Sequence, residues 1–222
     1  MLPIADLRGT MRILVTAGPT REFIDPVRFL SNPSTGRMGF SVARAARLAG
    51  HDVTLVAGPV SLRTPKGVRR VDVVSAMDMM SAVEATEFDC LVATAAVADW
   101  RPAKCAAKKL KKHEMSGTLR LVRNPDVLKT IAIRIRRAGG RKVLIGFAAE
   151  TGDPSEEASR KCREKGLDLV VANDVTEPGS GFGVDTNRVT FVHPDGKIER
   201  LPLLKKEAVA RRIIRFAEGL FR

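Results

Sequence analysis

The sequence predicts an α/β fold built on a doubly wound, mainly parallel sheet. Short runs of β-branched and aliphatic residues recur along the 222-residue chain, and amphipathic segments separate them. Strands that alternate with helices in this way build a parallel sheet that is covered on both faces. The length suits one large domain. We therefore expect a short N-terminal extension over residues 1–10 and a single domain over residues 11–222.

Six runs are predicted to form the strands of this sheet. Most of their residues are apolar or β-branched, which is typical of strands buried on both faces. The runs are Arg12–Thr16, Asp52–Ala57, Val68–Val74, Asp89–Ala95, Lys142–Phe147 and Leu167–Ala172. Six strands with helices between them indicate a Rossmann-like arrangement.

Capping signals mark where several helices begin. Ser75 lies three residues before Asp78, as in a capping box. Asn124-Pro125 and Asp153-Pro154 each place a capping side chain before a proline at the first helical position. Apolar residues recur at helical spacing from Ala208 to Phe221, which predicts a C-terminal helix.

Two connections carry their own signals. Periodicity is lost from Val97 to Asn124, a segment rich in lysine and small residues, and we interpret it as a long surface loop or flap. Long loops in compact domains are usually functional or disordered. Near the end, the turn signal His193–Gly196 separates NRVTFV from KIERL, which predicts a C-terminal β-hairpin.

Composition narrows the classes of partner. The chain has 38 Lys and Arg against 25 Asp and Glu, a formal charge of +13, which favours an anion such as a nucleoside triphosphate, a phosphorylated metabolite or nucleic acid. Aromatic residues make up 5% and Tyr is absent, which argues against nucleic acid because bases stack on aromatic rings. Three scattered Cys and three scattered His fit neither a disulfide framework nor a zinc site.

Targeting signals are not evident in the sequence. The N-terminal residues lack the layout of a signal peptide, and no apolar run approaches the length of a bilayer span. We expect a cytoplasmic protein that contacts neither a membrane nor nucleic acid.

The first strand runs into a long turn rich in Gly, Pro and Ser, and the first helix is expected to begin near Gly36. Such a turn presents unpaired backbone N–H groups to a phosphate. Close packing of Gly36 and Gly39 is the alternative explanation. The turn is not GxGxxG, and the second strand ends in VAGP rather than in an acidic residue, which argues against a dinucleotide. An NAD(P)-dependent oxidoreductase of Rossmann type and a non-catalytic nucleotide-binding module stay as alternatives.

Six blocks in this order are similar to the phosphopantothenoylcysteine synthetase family. They are AGPTREFIDPVRFLSNPSTGRMG, ATAAVADWRP, KKLKK, NPDVL, GFAAET and LDLVVANDV. The resemblance implies a ligase of coenzyme A synthesis that activates 4'-phosphopantothenate by nucleotidyl transfer, releases pyrophosphate and joins the acyl group to L-cysteine. It also implies Mg²⁺ and a nucleoside triphosphate, with CTP favoured over ATP.

The resemblance further implies a homodimer whose flap contributes across the interface. Many bacterial members are fused behind a flavin-dependent decarboxylase, which here could be a separate partner. We expect either a stand-alone synthetase or a domain excised from a longer enzyme.

Two residues are implied to be catalytic. Asn32 matches an Asn expected to hydrogen-bond the acyl-nucleotidyl intermediate, for which an amide is a suitable donor. Lys109 matches the first lysine of a KxKK block on the flap, but Lys108, Lys111 and Lys112 carry the same charge and leave the register open. Without the resemblance, a loop Asn commonly bonds its own backbone and a charge run is usually a solvated face.

A nucleotide site and a phosphate loop are also implied. The nucleotide-binding residues are Ala93, Thr94, Ala95, Ala96, Asp99, Lys109, Pro125, Asp126, Val127, Leu128, Phe147, Lys161 and Lys165. The phosphate or substrate loop comprises Gly18, Ser34, Thr35 and Gly36.

Simpler roles are open for several of these residues. Asp99 alternatively caps a helix. Lys161 and Lys165, four residues apart, share one helical face, which alternatively is only solvated. Glu150 and Asp174 lie near strand ends and are candidates to hold Mg²⁺ through water, but their spacing does not identify a metal site.

Overall fold

A computed structural model describes residues 9–114 and 117–221 and places the predicted strands in one sheet. In chain order the strands are β1 (Arg12–Ala17), β2 (Arg21–Phe23), β3 (Phe29–Ser31), β4 (Asp52–Ala57), β5 (Arg69–Asp72), β6 (Cys90–Ala93), β7 (Trp100–Pro102), β8 (Leu121–Arg123), β9 (Val143–Glu150), β10 (Leu169–Asp174), β11 (Thr186–Asn187), β12 (Thr190–Val192), β13 (Ile198–Arg200) and β14 (Leu204–Lys205). The α-helices are α1 (Arg37–Leu48), α2 (Ala76–Glu84), α3 (Val127–Arg137), α4 (Ser155–Lys165) and α5 (Lys206–Leu220).

The central sheet has eight strands in the order β13-β12-β10-β9-β6-β1-β4-β5. The six strands from β10 to β5 are parallel, whereas β12 and β13 are antiparallel. Because the chain starts near the middle and winds toward both edges, this is the predicted doubly wound α/β sheet. The carboxyl ends of the parallel strands meet at one edge, where ligands of such sheets bind.

Helices cover both faces of the sheet. Side chains alternate along a strand, so Ile13 and Val15 pack in the cluster formed with α1 and α5, and Leu14 packs in the cluster formed with α2, α3 and α4. Both clusters consist of apolar side chains that are almost fully buried. This explains why the strands of the sheet centre are apolar at consecutive positions.

The prediction for Val68–Val74 is wrong about burial. The strand there, β5, lies at the edge of the sheet and, among the described strands, pairs with β4 alone. Arg69 and Asp72 are exposed, while Arg70 and Val71 are half-buried. An edge strand needs fewer apolar residues because one side contacts solvent.

The helix-start predictions differ in accuracy. Ser75 and Asp78 form the predicted capping box, with Asp78 N donating to Ser75 Oγ (3.2 Å) and Ser75 N donating to Asp78 Oδ2 (2.8 Å). The cap of α3 is Asp126 rather than Asn124, since Lys129 N donates to Asp126 Oδ1 (2.9 Å). The Asn124 amide instead donates to Ala98 O (2.8 Å).

The start of α4 also differs from the prediction by one residue. Pro154 is the N-cap and Ser155 is the first helical residue. Asp153 accepts a hydrogen bond from Ser155 N (2.9 Å), so its carboxylate still satisfies a backbone donor of the first turn.

The prediction that the segment from Val97 to Asn124 is one long loop or flap is only partly correct, and residues 115–116 of it lie outside the described residues. Its ends pair as the antiparallel strands β7 and β8, and Lys112–Glu114 forms a short 3-10 helix. We call β7, β8 and the described residues between them the flap ribbon. A second antiparallel pair, β2 and β3, lies beside it. Strands of three residues are too short to show periodicity in the sequence.

The C-terminal predictions are confirmed. His193 N donates to Lys197 O (3.0 Å) in the turn that joins β12 to β13, and α5 spans the predicted helical region. No described helix has both the length and the apolar character needed to cross a bilayer.

Candidate functional site

A cavity of about 710 Å³ opens at the carboxyl edge of the sheet. It lies at the ends of β1, β6, β9 and β10 and at the starts of α1 and α3, with α4 along one side. The sequence-predicted residues that line it are Asn32, Ser34, Thr35, Gly36, Ala93, Thr94, Ala95, Ala96, Asp99, Pro125, Asp126, Val127, Leu128, Phe147, Lys161 and Lys165. The fold therefore brings together residues that are far apart in the sequence.

The loop before α1 forms one wall. Gly36 caps the helix with φ of +78°, a conformation that strongly favours glycine. A Cβ on Gly39 would lie 2.5 Å from Ala17 Cβ and 2.4 Å from Thr94 Oγ1, so the first turn of α1 contacts the strand ends directly. The packing explanation is thus correct for Gly39.

Asn32 connects this loop to the end of β6. Its Nδ2 donates to Ala96 O at 3.0 Å, and the side chain is half-buried. An amide nitrogen carries two donors and its oxygen accepts. One Asn32 N–H is thus used in holding the loop, and the residue lines the cavity.

The residues after β6 form the second wall and are tied to β1. Thr94 Oγ1 donates to Thr16 O (2.6 Å), and Ala95 N donates to Thr16 Oγ1 (3.3 Å). The small side chains of Ala95 and Ala96 leave the backbone accessible to a ligand. Asp99 follows in an exposed position before β7, so the alternative that it caps a helix is wrong.

The third wall carries cations from α4. Lys161 Nζ lies 2.6 Å from Glu150 Oε1, and Lys165 Nζ lies 2.7 Å from Asp126 Oδ2. Both lysines line the cavity, as expected for positions four apart on one helix face. Arg160 donates to Glu157 and lowers the pKa of that carboxyl to about 2. The Glu157 carboxylate therefore stays ionised near neutral pH.

Two predicted residues, Gly18 and Lys109, do not line the cavity. Gly18 lies behind the α1 start, where a Cβ on Gly36 would come within 3.4 Å of Gly18 N. Lys109 is exposed on the flap ribbon. Its role in nucleotide binding and catalysis stays a prediction, as does the register among the neighbouring lysines.

The backbone beside Lys109 is anchored to the loop between β2 and β3. Leu110 N donates to Asp25 Oδ2 (3.1 Å), and Arg28 Nη2 donates to Leu110 O (2.8 Å). The Asp25 side chain is fully buried. The pKa of this carboxyl is held well below its usual range, mainly because Arg28 donates a hydrogen bond to it. The sequence contained no clear signal for this contact.

The described residues contain no group of three or more His, Cys, Asp or Glu side chains arranged to hold a metal ion. Of the two candidates for Mg²⁺, Glu150 is paired with Lys161, and Asp174 Oδ1 accepts from Thr176 N (2.8 Å). Neither lies among the residues that line the cavity. These carboxylates do not fit a dedicated metal site.

Sequence reasoning missed several polar residues of the cavity. Asn173, Asn187 and Lys206 line it and are almost fully buried. Asn173 is the second-last residue of β10, whereas Lys206 begins α5, two residues before the predicted helix. A single lysine at a helix start has no distinctive pattern, so the sequence carried no signal for its burial.

Comparison with protein families matches residues 8–220 to the DNA/pantothenate metabolism flavoprotein C-terminal domain. Three similar proteins are named coenzyme A biosynthesis bifunctional protein CoaBC. That of Vibrio cholerae is 46% identical over 207 residues, covering 91% of this chain and 51% of that protein. The Escherichia coli protein is 44% identical over 217 residues (96% and 52%), and the Bacillus subtilis protein is 45% identical over 213 residues (95% and 51%). The chain thus spans about half the length of these relatives.

Solved structures give a matching result. The crystal structure of the C-terminal domain of CoaBC superimposes with a TM-score of 0.79 at 42% identity, covering 96% of both chains. A Cab2 variant in complex with phosphopantothenate-cysteine superimposes with a TM-score of 0.74 at 16% identity, covering 95% of this chain and 86% of that one. The second likeness concerns the fold alone.

Proposed function

The chain belongs to the family of the DNA/pantothenate metabolism flavoprotein C-terminal domain, and from this membership we propose that it is a phosphopantothenate–cysteine ligase of coenzyme A biosynthesis. The carboxylate of 4'-phosphopantothenate attacks the α-phosphorus of a nucleoside triphosphate and pyrophosphate leaves. The amine of L-cysteine then attacks the acyl carbon, the nucleoside monophosphate leaves, and an amide forms. The observation that carries the proposal is the convergence of the loop before α1, the end of β6 and the α4 lysines on one cavity.

Each wall has a distinct part in this reaction. The backbone around Ala95 and Ala96 receives the nucleotide closely because the side chains are small. Asn32 donates from its amide to the acyl-nucleotidyl group, where a fixed donor stabilises developing charge. Lys161 and Lys165 balance the charge of the phosphates after exchanging their carboxylate partners.

We also propose Mg²⁺ as the metal and CTP as the nucleotide. The described carboxylates do not form a metal site, so Mg²⁺ would enter mainly through the phosphate oxygens of the nucleotide, as it commonly does in proteins. The bound ion would neutralise phosphate charge. The bacterial sources of the relatives support CTP over ATP.

Pyrophosphate release in the absence of cysteine tests the proposed order of steps. With phosphopantothenate and each nucleoside triphosphate, but no cysteine, we expect about one pyrophosphate per active site, fastest with CTP, because activation precedes amide formation. Rapid-quench single-turnover measurement would detect it. A strict need for cysteine before any acyl-nucleotide can be trapped would contradict this order.

Two alternative functions can be tested on the same protein sample. An NAD(P)-dependent oxidoreductase would transfer hydride to or from a nicotinamide cofactor, and a binding module would bind nucleotide without releasing pyrophosphate. The turn after β1 lacks the GxGxxG pattern, which disfavours the first. The charged cavity alone is compatible with the second.

We propose that the protein is a homodimer joined through the flap ribbon and the β2–β3 pair. Large apolar side chains are exposed together on these elements, where an interface would bury them. They are Val27 (57% exposed), Phe29 (39%), Trp100 (45%), Leu119 (39%) and Leu121 (39%). Arg123 stacks over the Trp100 ring at 5.2 Å, which gives the surface a rigid aromatic centre.

Trp100→Asp is expected to raise the dimer dissociation constant at least about 30-fold, since aromatic anchors dominate interface energetics. Sedimentation equilibrium measures this constant. Leu48→Asp is the matched control, because Leu48 is 78% exposed at the far end of α1. A monomeric parent protein, or equal constants for the two variants, would contradict the proposed interface.

A cytoplasmic location and a flavin-dependent decarboxylase partner complete the proposal. The ligase product carries the carboxylate of its cysteine, which is the group such a decarboxylase removes. Co-purification and co-localisation experiments test these two statements.

A further inference from the structure

Lys206 is a buried cation that no step above uses. It is the first residue of α5, is only 5% exposed, and lines the cavity. Lysine is almost never fully buried without a charged partner, because leaving water costs the ammonium its hydration. Within the described ranges 9–114 and 117–221, no carboxylate forms an ion pair with Lys206. The groups that accept hydrogen bonds from its ammonium are therefore neutral.

Two backbone carbonyls are the hydrogen-bond partners of this ammonium. Lys206 Nζ donates to Gly181 O at 2.9 Å and to Val184 O. An ammonium has three donors, so one N–H is left over when these two are used. The two carbonyls belong to the loop before β11, which forms the side of the cavity next to α5.

This loop is itself held by hydrogen bonds. Asn187 Oδ1 accepts from Ser180 Oγ (2.7 Å) and from Gly181 N (3.2 Å). The backbone N–H of Lys206 donates to Asp185 O (2.9 Å). Because both the loop and the helix start are tied down, the ammonium is placed before any ligand arrives, and binding would not require it to be reordered.

The surroundings of Lys206 carry an excess of positive charge. Arg37 also lines the cavity and pairs with Asp185 at 2.5 Å. Asp185 is thus the carboxylate shared by this neighbourhood, and its side chain is 86% exposed. The pKa of Lys206 is lowered mainly by burial and, to a smaller extent, by repulsion from Arg37. An anion in the cavity would relieve both effects.

We propose that Lys206 binds a phosphate group of a ligand at the α5 side of the cavity. This inference rests on the proposed function, because both phosphopantothenate and the nucleoside triphosphate bring phosphate into the same cavity. A charge-assisted hydrogen bond from a partly desolvated ammonium is among the stronger contacts available to a phosphate oxygen. The two sources share this chemistry and are separated by experiment.

Lys206→Gln tests the proposal with Lys205→Gln as the matched control. The glutamine amide can still donate to the loop carbonyls but carries no charge, and Lys205 is the exposed neighbour with the same charge. Calorimetric titration with inorganic pyrophosphate and, separately, with phosphopantothenate is performed on the parent 222-residue chain and on each variant. We expect Lys206→Gln to weaken one of these two ligands about tenfold or more, and Lys205→Gln to change neither beyond about twofold.

The ligand that is weakened identifies the source of the phosphate. If only the affinity for pyrophosphate falls, Lys206 binds a phosphate of the nucleotide. If only the affinity for phosphopantothenate falls, Lys206 binds its 4'-phosphate. Unchanged affinity for both in a folded Lys206→Gln protein would overturn the proposal, as would a parent protein that binds neither. Thermal unfolding establishes that the variants are folded.

A measurement on the parent protein covers the case in which Lys206→Gln does not fold. The side-chain NMR signal of Lys206, assigned by its loss in Lys206→Arg, should shift when either ligand is added, and an unshifted signal at saturation with both would refute phosphate contact. Binding is measured without turnover. Absence of ligase activity in the parent would therefore count against the proposed function. The binding measurements would still decide whether Lys206 contacts phosphate.

Discussion

Lys109→Gln is expected to lower single-turnover pyrophosphate release about 10²–10³-fold while changing nucleotide affinity less than about threefold. Lys109 is exposed on the flap ribbon and lies outside the residues that line the cavity. A cation that reaches the phosphates only after the ribbon closes over bound nucleotide would stabilise the transition state more than the ground state. Its loss should therefore appear in the rate rather than in binding.

The structure makes the register of this lysine testable. Lys109 immediately precedes Leu110, whose N–H and carbonyl are both bonded to the Asp25–Arg28 pair. This anchor sets the direction in which neighbouring side chains leave the backbone. Lys108→Gln carries the same change of charge one residue away and should lower the rate much less than Lys109→Gln.

The two lysine variants also define what would refute the assignment. A larger defect in Lys108→Gln would move the catalytic role by one residue. Small defects in both variants would indicate that these lysines are only a solvated cluster of charges. Nucleotide affinity from equilibrium titration and the rate from rapid quench must be measured on the same preparations, because only their ratio separates transition-state from ground-state effects.

Asn32→Ala is the second variant with a large expected effect, a loss of about 10²–10³ in the rate of acyl-nucleotide formation. Asn32 lines the cavity, and its amide donates one hydrogen bond to Ala96 O at 3.0 Å. Removing that bond should cost only about 1 kcal/mol of stability. The fold should therefore persist, with near-parental circular dichroism and a modest decrease in the unfolding midpoint.

Ser31→Ala separates a chemical role of Asn32 from a structural one. Ser31 Oγ donates to Thr20 O at 2.7 Å, so this variant also removes one side-chain hydrogen bond from the same loop. Ser31 does not line the cavity. Parental rates for Asn32→Ala at saturating substrates, or equal losses in both variants, would remove Asn32 from the catalytic residues.

Local patterns in the sequence predicted most elements of the fold. The apolar runs of the central strands were visible because these strands are buried on both faces, and the Ser75–Asp78 capping box was visible because its partners are three residues apart. The cap of α3 was misplaced by two residues, since Asn124 and Asp126 are both good caps and the contact of Asn124 with Ala98 is not local. β7 and β8 were missed because their pairing joins segments of three residues across the flap.

The sequence by itself determined the α/β sheet, the C-terminal hairpin and, through its ordered motifs, the set of residues proposed to bind nucleotide. Tertiary structure alone decided which of them share a cavity, that Lys109 lies outside it, and that Lys206 is buried at its wall. Strand and helix preferences arise from neighbouring residues, so they can be recognised along the chain. Burial and electrostatic environment arise from groups far apart in sequence, such as Arg37 and Asp185, and exist only after the chain has folded.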